Sequence, residues 1–254
     1  MNNITKNKNS RRSREKPSSK FTSASVVLPV INEVESLNRV VNAVFGQPGK
    51  NIREIIIVVC SKTTADSLAA CHSLCEKYKG RIRILQQTLP FLGGALREGL
   101  AAVHSSHVVV MYSDGESAPH SIGALIREAE RNPDAIISAS RWLKESTFAG
   151  YSKIKYVLNY LFQKVFSLFY WTRVTDFTFG YRIYPVPLMQ TIDWQETGHA
   201  FVFESIVKPL RLRIKIIEIP TCWRARHEGV SQCRPGMYLR YLWVGLKVRF
   251  SSHF

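Results

Sequence analysis

Acidic residues are scarce in this chain: 19 Asp and Glu face 35 Lys and Arg across 254 residues, a formal net charge of +16. The deficit is local. Residues 1–20 hold seven basic side chains and one acid, residues 205–254 hold ten and two, and the stretch between holds eighteen and sixteen. Such a distribution suits a polyanion, either nucleic acid or an anionic bilayer surface, at one end of an otherwise balanced fold. Helix-turn-helix, zinc-finger and RNP signatures are all missing, so nucleic acid is not the expected partner.

Cysteine is also sparse. Cys60, Cys71, Cys75, Cys222 and Cys233 make an odd set of five with no Cys-x-x-Cys pair. That excludes a disulfide framework and implies a reducing, cytoplasmic compartment. Cys71, His72 and Cys75 lie one helical turn apart, but no second ligand pair follows, which favours a buried helix face over a metal site. Nor is there a long apolar run: Lys164 interrupts the best stretch, Tyr156–Trp171, before it reaches the ~18–20 residues of a spanning helix. SASVVLPV is too short for a secretory leader. With 14 Gly and 11 Pro against 45% hydrophobic residues, collagen-like and low-complexity classes are excluded.

What is present is an alternation. Residues 1–20 carry almost no apolar side chains and are expected to be a disordered basic tail; residues 21–254 are expected to form one domain. From Ser25 onward, β-branched runs (SVVLPV, REIIIVVC, RIRILQQ, HVVVMY, AIISAS) alternate with helical segments, the signature of a mostly parallel, doubly wound α/β sheet with helices on both faces. Asn32 and Glu35 have the spacing of a capping box, which predicts a helix from about Glu33. Ligands of such sheets lie outside the carboxyl ends of the strands. This gathers Asn32–Glu33, Cys60–Thr64, Pro90–Gly94 and Ser113–Glu116 around one crevice, so that residues 25–117 form a nucleotide half and 118–254 an acceptor half. In the latter follow a long aromatic helix near 151–171, a helix through HAFVFESIVKPLRL, a strand pair in KIIEIPTCWRAR and a last helix around MYLRYLWVGLKVRF.

Three features carry chemistry. Asp114 and Glu116, two residues apart in YSDGES after the fourth strand, can present both carboxylates to one hard cation, Mg²⁺ or Mn²⁺, although an Asp-Gly surface turn has the same spelling. Gly93 and Gly94 stand where the start of a helix can offer backbone N–H groups to a phosphate. Neither GxGxxG nor a Walker loop is present, which removes the main support for dinucleotide-dehydrogenase and P-loop readings. Basic and aromatic residues interleave in the last helix (Tyr238, Arg240, Tyr241, Trp243, Lys247, Arg249, Phe250), the pattern of a helix lying in a membrane interface.

The order of these segments resembles the family-2 inverting glycosyltransferases, within them the polyprenol-phosphate (dolichol-phosphate) mannosyl- or glucosyltransferases, over nearly the whole chain from Ser25. The residues that carry the resemblance are VVLPVINE, FLGGALREGL, YSDGESAP, SASRW, TDFTFGYR, FVFES and EIPTCWRARHEGVS. It implies the A-type nucleotide-sugar transferase fold, a nucleotide-sugar donor, a polyprenyl-phosphate or other lipid-linked acceptor, and attachment to the inner face of a membrane. It further implies a divalent metal on Asp114 and Glu116, nucleotide contact by Glu33, and phosphate contact by Arg141, Arg226 and Ser231. Arg182 stands as a substrate-binding or a structural arginine, and Asp176 and Glu204 as acceptor-side acids, either able to act as a base toward a hydroxyl. With Asp114, Asp176 and Arg141 form the expected catalytic group. Departures are Ile31, Val59, Cys60, Tyr112 and Gln232, which replace an aromatic, an Asp pair, the first metal-motif Asp and a Lys of the family. They keep open the alternative of a catalytically silent transferase fold that binds a partner.

Overall fold

The computed structural model describes residues 20–47, 51–150, 152–225 and 236–251. Nearly all of the expected basic tail thus lies outside the described residues. The first half alternates as its hydrophobic pattern demands: β1 (Ala24–Pro29), α1 (Glu35–Phe45), β2 (Ile52–Val59), α2 (Ala65–Lys77), β3 (Ile82–Gln86), α3 (Phe91–Ala101), β4 (His107–Val110), a 3₁₀ turn at Pro119–Ser121, α4 (Ile122–Arg131) and β5 (Ile136–Ser140). The second half contributes β6 (Thr147–Ala149), α5 (Lys153–Phe169), β7 (Arg182–Pro185), α6 (Val186–Thr191), α7 (Ala200–Arg211), β8 (Ile216–Pro220), β9 (Cys222–Arg224) and α8 (Met237–Phe250).

Seven strands form one sheet in the order β3-β2-β1-β4-β7-β5-β8. All neighbours run parallel except β7, which is antiparallel to both β4 and β5. The central strands are apolar on both faces because helices cover both. Val26, Leu28, Ile55 and Ile57 belong to a core under α1, α2 and α4, while Val27, Ile56, Val58 and Val108 belong to one under α3, α6 and α7. In α1 the buried Leu37, Val40, Val41 and Val44 recur at helical spacing, and Cys71 is buried on α2. Burial pushes the Cys71 thiol up to about 11, an inert core residue.

Several local expectations are corrected. α1 starts at Glu35 with Val34 as N-cap, not at Glu33, and no side chain caps it. Glu33 folds back instead, Oε2 accepting from the Ile31 and Asn32 amides at 2.8 and 3.1 Å. The two strands in KIIEIPTCWRAR do not pair with each other: β8 extends the main sheet beside β5, whereas β9 joins β6 in a separate two-stranded sheet. β7, which the expected strands did not include, begins at Arg182, the last residue of TDFTFGYR.

A third core joins α5, α7 and α8 through Phe166, Phe177, Phe203, Ile206, Tyr241, Val244 and Val248. It alters the meaning of α8. Arg240 pairs with Glu196, Nη2 to Oε1 at 2.8 Å, and Lys247 donates to Gln195 Oε1 at 2.6 Å. Both cations also flank the Trp243 ring, at 4.4 and 4.8 Å from its centroid. Arg240, Tyr241 and Lys247 of the interleaving read as a membrane-interface pattern thus make contacts within the chain, while Tyr238, Trp243 and Phe250 stay exposed. Among the described residues no helix is long and apolar enough to cross a membrane.

Candidate active site

The sheet changes direction between β1 and β4: β1 is followed outward by β2 and β3, while β4 leads the other way to β7. In open α/β sheets the crevice above such a switch point is where ligands sit. The loops there are stitched together. Ser113 Oγ donates to Pro29 O at 2.8 Å, joining the ends of β4 and β1, and Thr63 Oγ1 donates to Val30 O at 2.9 Å while accepting from the Cys60 amide at 2.9 Å. The crevice floor is thus set by side-chain-to-backbone bonds as well as by the ladder.

Asp114 and Glu116 stand on this floor. The turn between them depends on Gly115, whose φ of +74° lies in the left-handed region that side chains with a Cβ avoid. Asp114 is largely buried, and its Oδ1 accepts from the Glu116 amide at 3.0 Å, an Asx-type closure. The Glu116 carboxylate turns toward β9, Oε2 accepting from Trp223 Nε1 at 3.3 Å. The α1 start is close by, since a Cβ on Gly115 would lie 3.7 Å from Ser36 Cβ. A helix start favours anions. No cluster of three or more His, Cys, Asp or Glu suited to a metal occurs among the described residues. Two carboxylates fit Mg²⁺ or Mn²⁺ where substrate phosphates complete the coordination, which is how these ions commonly bind.

Other expected residues have different work. Arg141 and Asp176 hold each other: Nε to Oδ2 at 2.8 Å and Nη2 to Oδ1 at 2.9 Å, both side chains buried. Asp176 also accepts from the amides of Arg141, Thr178 and Phe179, and so serves as a structural acid where a base was expected. Arg182 is 0% exposed and spends its guanidinium on Ser138 Oγ, Ser205 Oγ and the carbonyls of Val202, Asp176 and Phe177. Of its two readings, the structural one holds and the substrate-binding one is corrected. Glu204 is paired with Lys208 at 2.6 Å and accepts from the Gln195 and Glu196 amides, which removes it from the acceptor side as well.

Gly93 and Gly94 sit inside the first turn of α3 rather than before it. The Gly94 amide donates to Thr197 O at 2.9 Å. A Cβ on Gly93 would come within 2.6 Å of the Thr197 and Gly198 backbone, and one on Gly94 within 2.6 Å of Leu89 O. Backbone passes close to both glycines, and the Gly94 amide is already engaged within the chain. Arg226 and Ser231 lie outside the described residues.

Two residues escaped the sequence reading. Trp223, in the middle of EIPTCWRAR, was passed over because nothing in a three-residue strand signals its partner. Tyr112 was noted only as a departure. Its ring enters the core beneath the site, where burial raises the phenol far above its usual range, and Gly180 leaves room for it: a Cβ there would meet Tyr112 Oη at 2.0 Å.

The family model described as Glycosyl transferase family 2 matches residues 25–192. Among solved structures, the fold is similar to glucosyl-3-phosphoglycerate synthase from Mycobacterium tuberculosis. The complex of that enzyme with UDP aligns at TM-score 0.70 and 16% identity over 89% of this chain and 80% of that one. Its complex with Mn²⁺, UDP and phosphoglyceric acid gives 0.67 and 18% over 89% and 78%. The complex with Mn²⁺, UDP-glucose and glycerol 3-phosphate gives 0.66 and 17% over 89% and 79%. At these identities the likeness shows the A-type nucleotide-sugar transferase fold. It corrects the placement in the polyprenol-phosphate branch, since the structures matched hold small phosphorylated acceptors, and with it falls the expectation of a lipid-linked acceptor, an anionic membrane surface as partner and peripheral membrane attachment.

Proposed function

The chain belongs to glycosyl transferase family 2, and from that premise we propose that it transfers a hexosyl group from UDP-glucose or a closely related nucleotide-sugar to a hydroxyl of a small phosphorylated organic acid, with inversion at the anomeric carbon. The observation that carries this reading is the Asp114–Glu116 turn at the switch point, two carboxylates at the carboxyl end of β4 beside the end of β1. The donor and acceptor classes are supported by the synthase complexes, which hold UDP-glucose, phosphoglyceric acid and glycerol 3-phosphate on the same fold.

In the reaction the acceptor oxygen bonds to the anomeric carbon as the bond from that carbon to the diphosphate oxygen breaks, and the hydroxyl proton passes to solvent water. A divalent cation held by Asp114 and Glu116 would neutralise the charge that develops on the leaving diphosphate. The chain prepares for this in three ways. Asp114 and Glu116 are fixed before substrate arrives, by the Asx closure and the indole N–H, so little reorganisation accompanies the reaction. The start of α1 adds a favourable dipole beside the same turn. Arg141, clamped by Asp176, is a rigid strut at the end of β5 that shapes the floor beyond β7.

The test is direct. Purified protein is incubated with Mn²⁺, UDP-glucose and 3-phosphoglycerate or glycerol 3-phosphate, and UDP release and the β-linked product are measured. Release that requires both metal and acceptor supports the proposal. Absence of turnover with either acceptor, together with turnover on polyprenyl phosphate, would contradict it.

A further inference from the structure

β9 lies beyond the 25–192 region shared with the family, yet it touches the proposed metal site at three points. Trp223 Nε1 donates to Glu116 Oε2 at 3.3 Å, the Arg224 amide donates to Glu116 O at 3.2 Å, and Ser117 forms an isolated antiparallel bridge with Trp223. The Glu116 backbone and carboxylate are therefore both held by one short strand. That strand is anchored in turn through β6, where Phe148 pairs in register with Trp223 and the two rings lie 6.4 Å apart.

The indole itself has little freedom. Trp223 is 7% exposed and belongs to the core beneath α1, α2 and α4, so its N–H points where packing directs it. A bond from N–H to a carboxylate is charge-assisted, and it restrains the rotamer of the side chain that accepts it. A carboxylate has about four lone-pair sites, so accepting the indole N–H leaves capacity for a cation. Groups that orient metal-binding side chains in this way commonly control affinity about as strongly as weak ligands do.

We propose that Trp223 is a positioning residue which sets the affinity of the site for its divalent cation by holding Glu116. The proposal rests on the reading of Glu116 as a metal-binding carboxylate. Its contribution to cation binding passes through the Glu116 carboxylate, so the two residues must be non-additive: once Glu116 no longer offers a charged carboxylate, removing the indole N–H has little further to lose.

Mn²⁺ binding in the presence of UDP, followed by the electron paramagnetic resonance of free Mn²⁺, tests this without turnover. Trp223→Phe should weaken binding about tenfold, Glu116→Gln should weaken it as well, and the double variant should match Glu116→Gln. Phe148→Leu, which loosens the same packing but keeps the N–H, should bind as the unaltered protein does, and thermal melts of all four variants report the structural cost separately. Undiminished binding by Trp223→Phe, an additive double variant, or an equal loss in Phe148→Leu would overturn the proposal. Undiminished binding by Glu116→Gln would instead overturn the metal reading on which it rests.

Discussion

Arg141 and Asp176 form a bidentate pair, 2.8 and 2.9 Å, buried at the end of β5. Losing the acid removes the bidentate carboxylate that the buried guanidinium holds. Asp176→Asn should therefore cost about 3–5 kcal/mol of stability, lowering the melting temperature by roughly 6–20 °C. A general base would behave otherwise, losing turnover with little change in melting. Differential scanning calorimetry beside initial rates separates the two, and a stable but inactive Asp176→Asn protein would restore the catalytic reading.

The close approach at Gly93 gives a prediction of opposite character. Its added methyl in Gly93→Ala would meet the Thr197 carbonyl group at 2.6–2.7 Å, backbone against backbone, so α3 or the 195–198 loop must shift. Destabilisation of about 1–3 kcal/mol is expected. UDP affinity, measured by calorimetry below the melting temperature, should be nearly unchanged. A selective loss of UDP binding in a protein that melts normally would put the phosphate back at this helix start.

Glu218 supplies a pH signature. Burial raises its carboxyl above the ordinary value of 4.5 despite bonds from the Thr175 and Asp176 amides and the Thr175 hydroxyl, which oppose the rise. An acid whose folded pKa is raised binds its proton more tightly in the native state. Its contribution is fully present below the unfolded value and is lost as pH rises through the folded one. Melting temperature should thus show a downward step above pH 4.5 that is missing in Glu218→Gln. The same step in both proteins would assign it to another group.

How much of this was readable beforehand depended on whether the signal was local. The strands β1 to β5 and the helices between them announced themselves through runs of Val and Ile and through helical spacing, and α3, α5, α7 and α8 lie close to where the sequence put them. The turn that carries Asp114 and Glu116 was legible because a strand, an Asp-Gly pair and a second acid follow one another directly. What failed was pairing at a distance. Nothing near Asp176 indicates that Arg141 will fill it, nor near Glu204 that the Gln195 and Glu196 amides will. A capping-box spelling at Asn32 lost to a tighter turn in which Glu33 bonds the amides of residues 31 and 32. Arg240, Tyr241 and Lys247 of α8 helped to spell a membrane helix because Glu196, α7 and Gln195, which they contact, are more than 25 residues away in sequence.

Whether Asp114 serves the leaving diphosphate is tested most directly by Mn²⁺-dependent UDP release from UDP-glucose in Asp114→Asn. Its side chain is buried against the turn and not in the apolar core, so the substitution should leave the melting temperature within a few degrees of the unaltered protein. Loss of a carboxylate that faces developing charge should lower kcat/KM at least about a hundredfold, equivalent to several kcal/mol of transition-state stabilisation. A folded Asp114→Asn protein that turns over at the original rate, with the original Mn²⁺ requirement, would contradict the account.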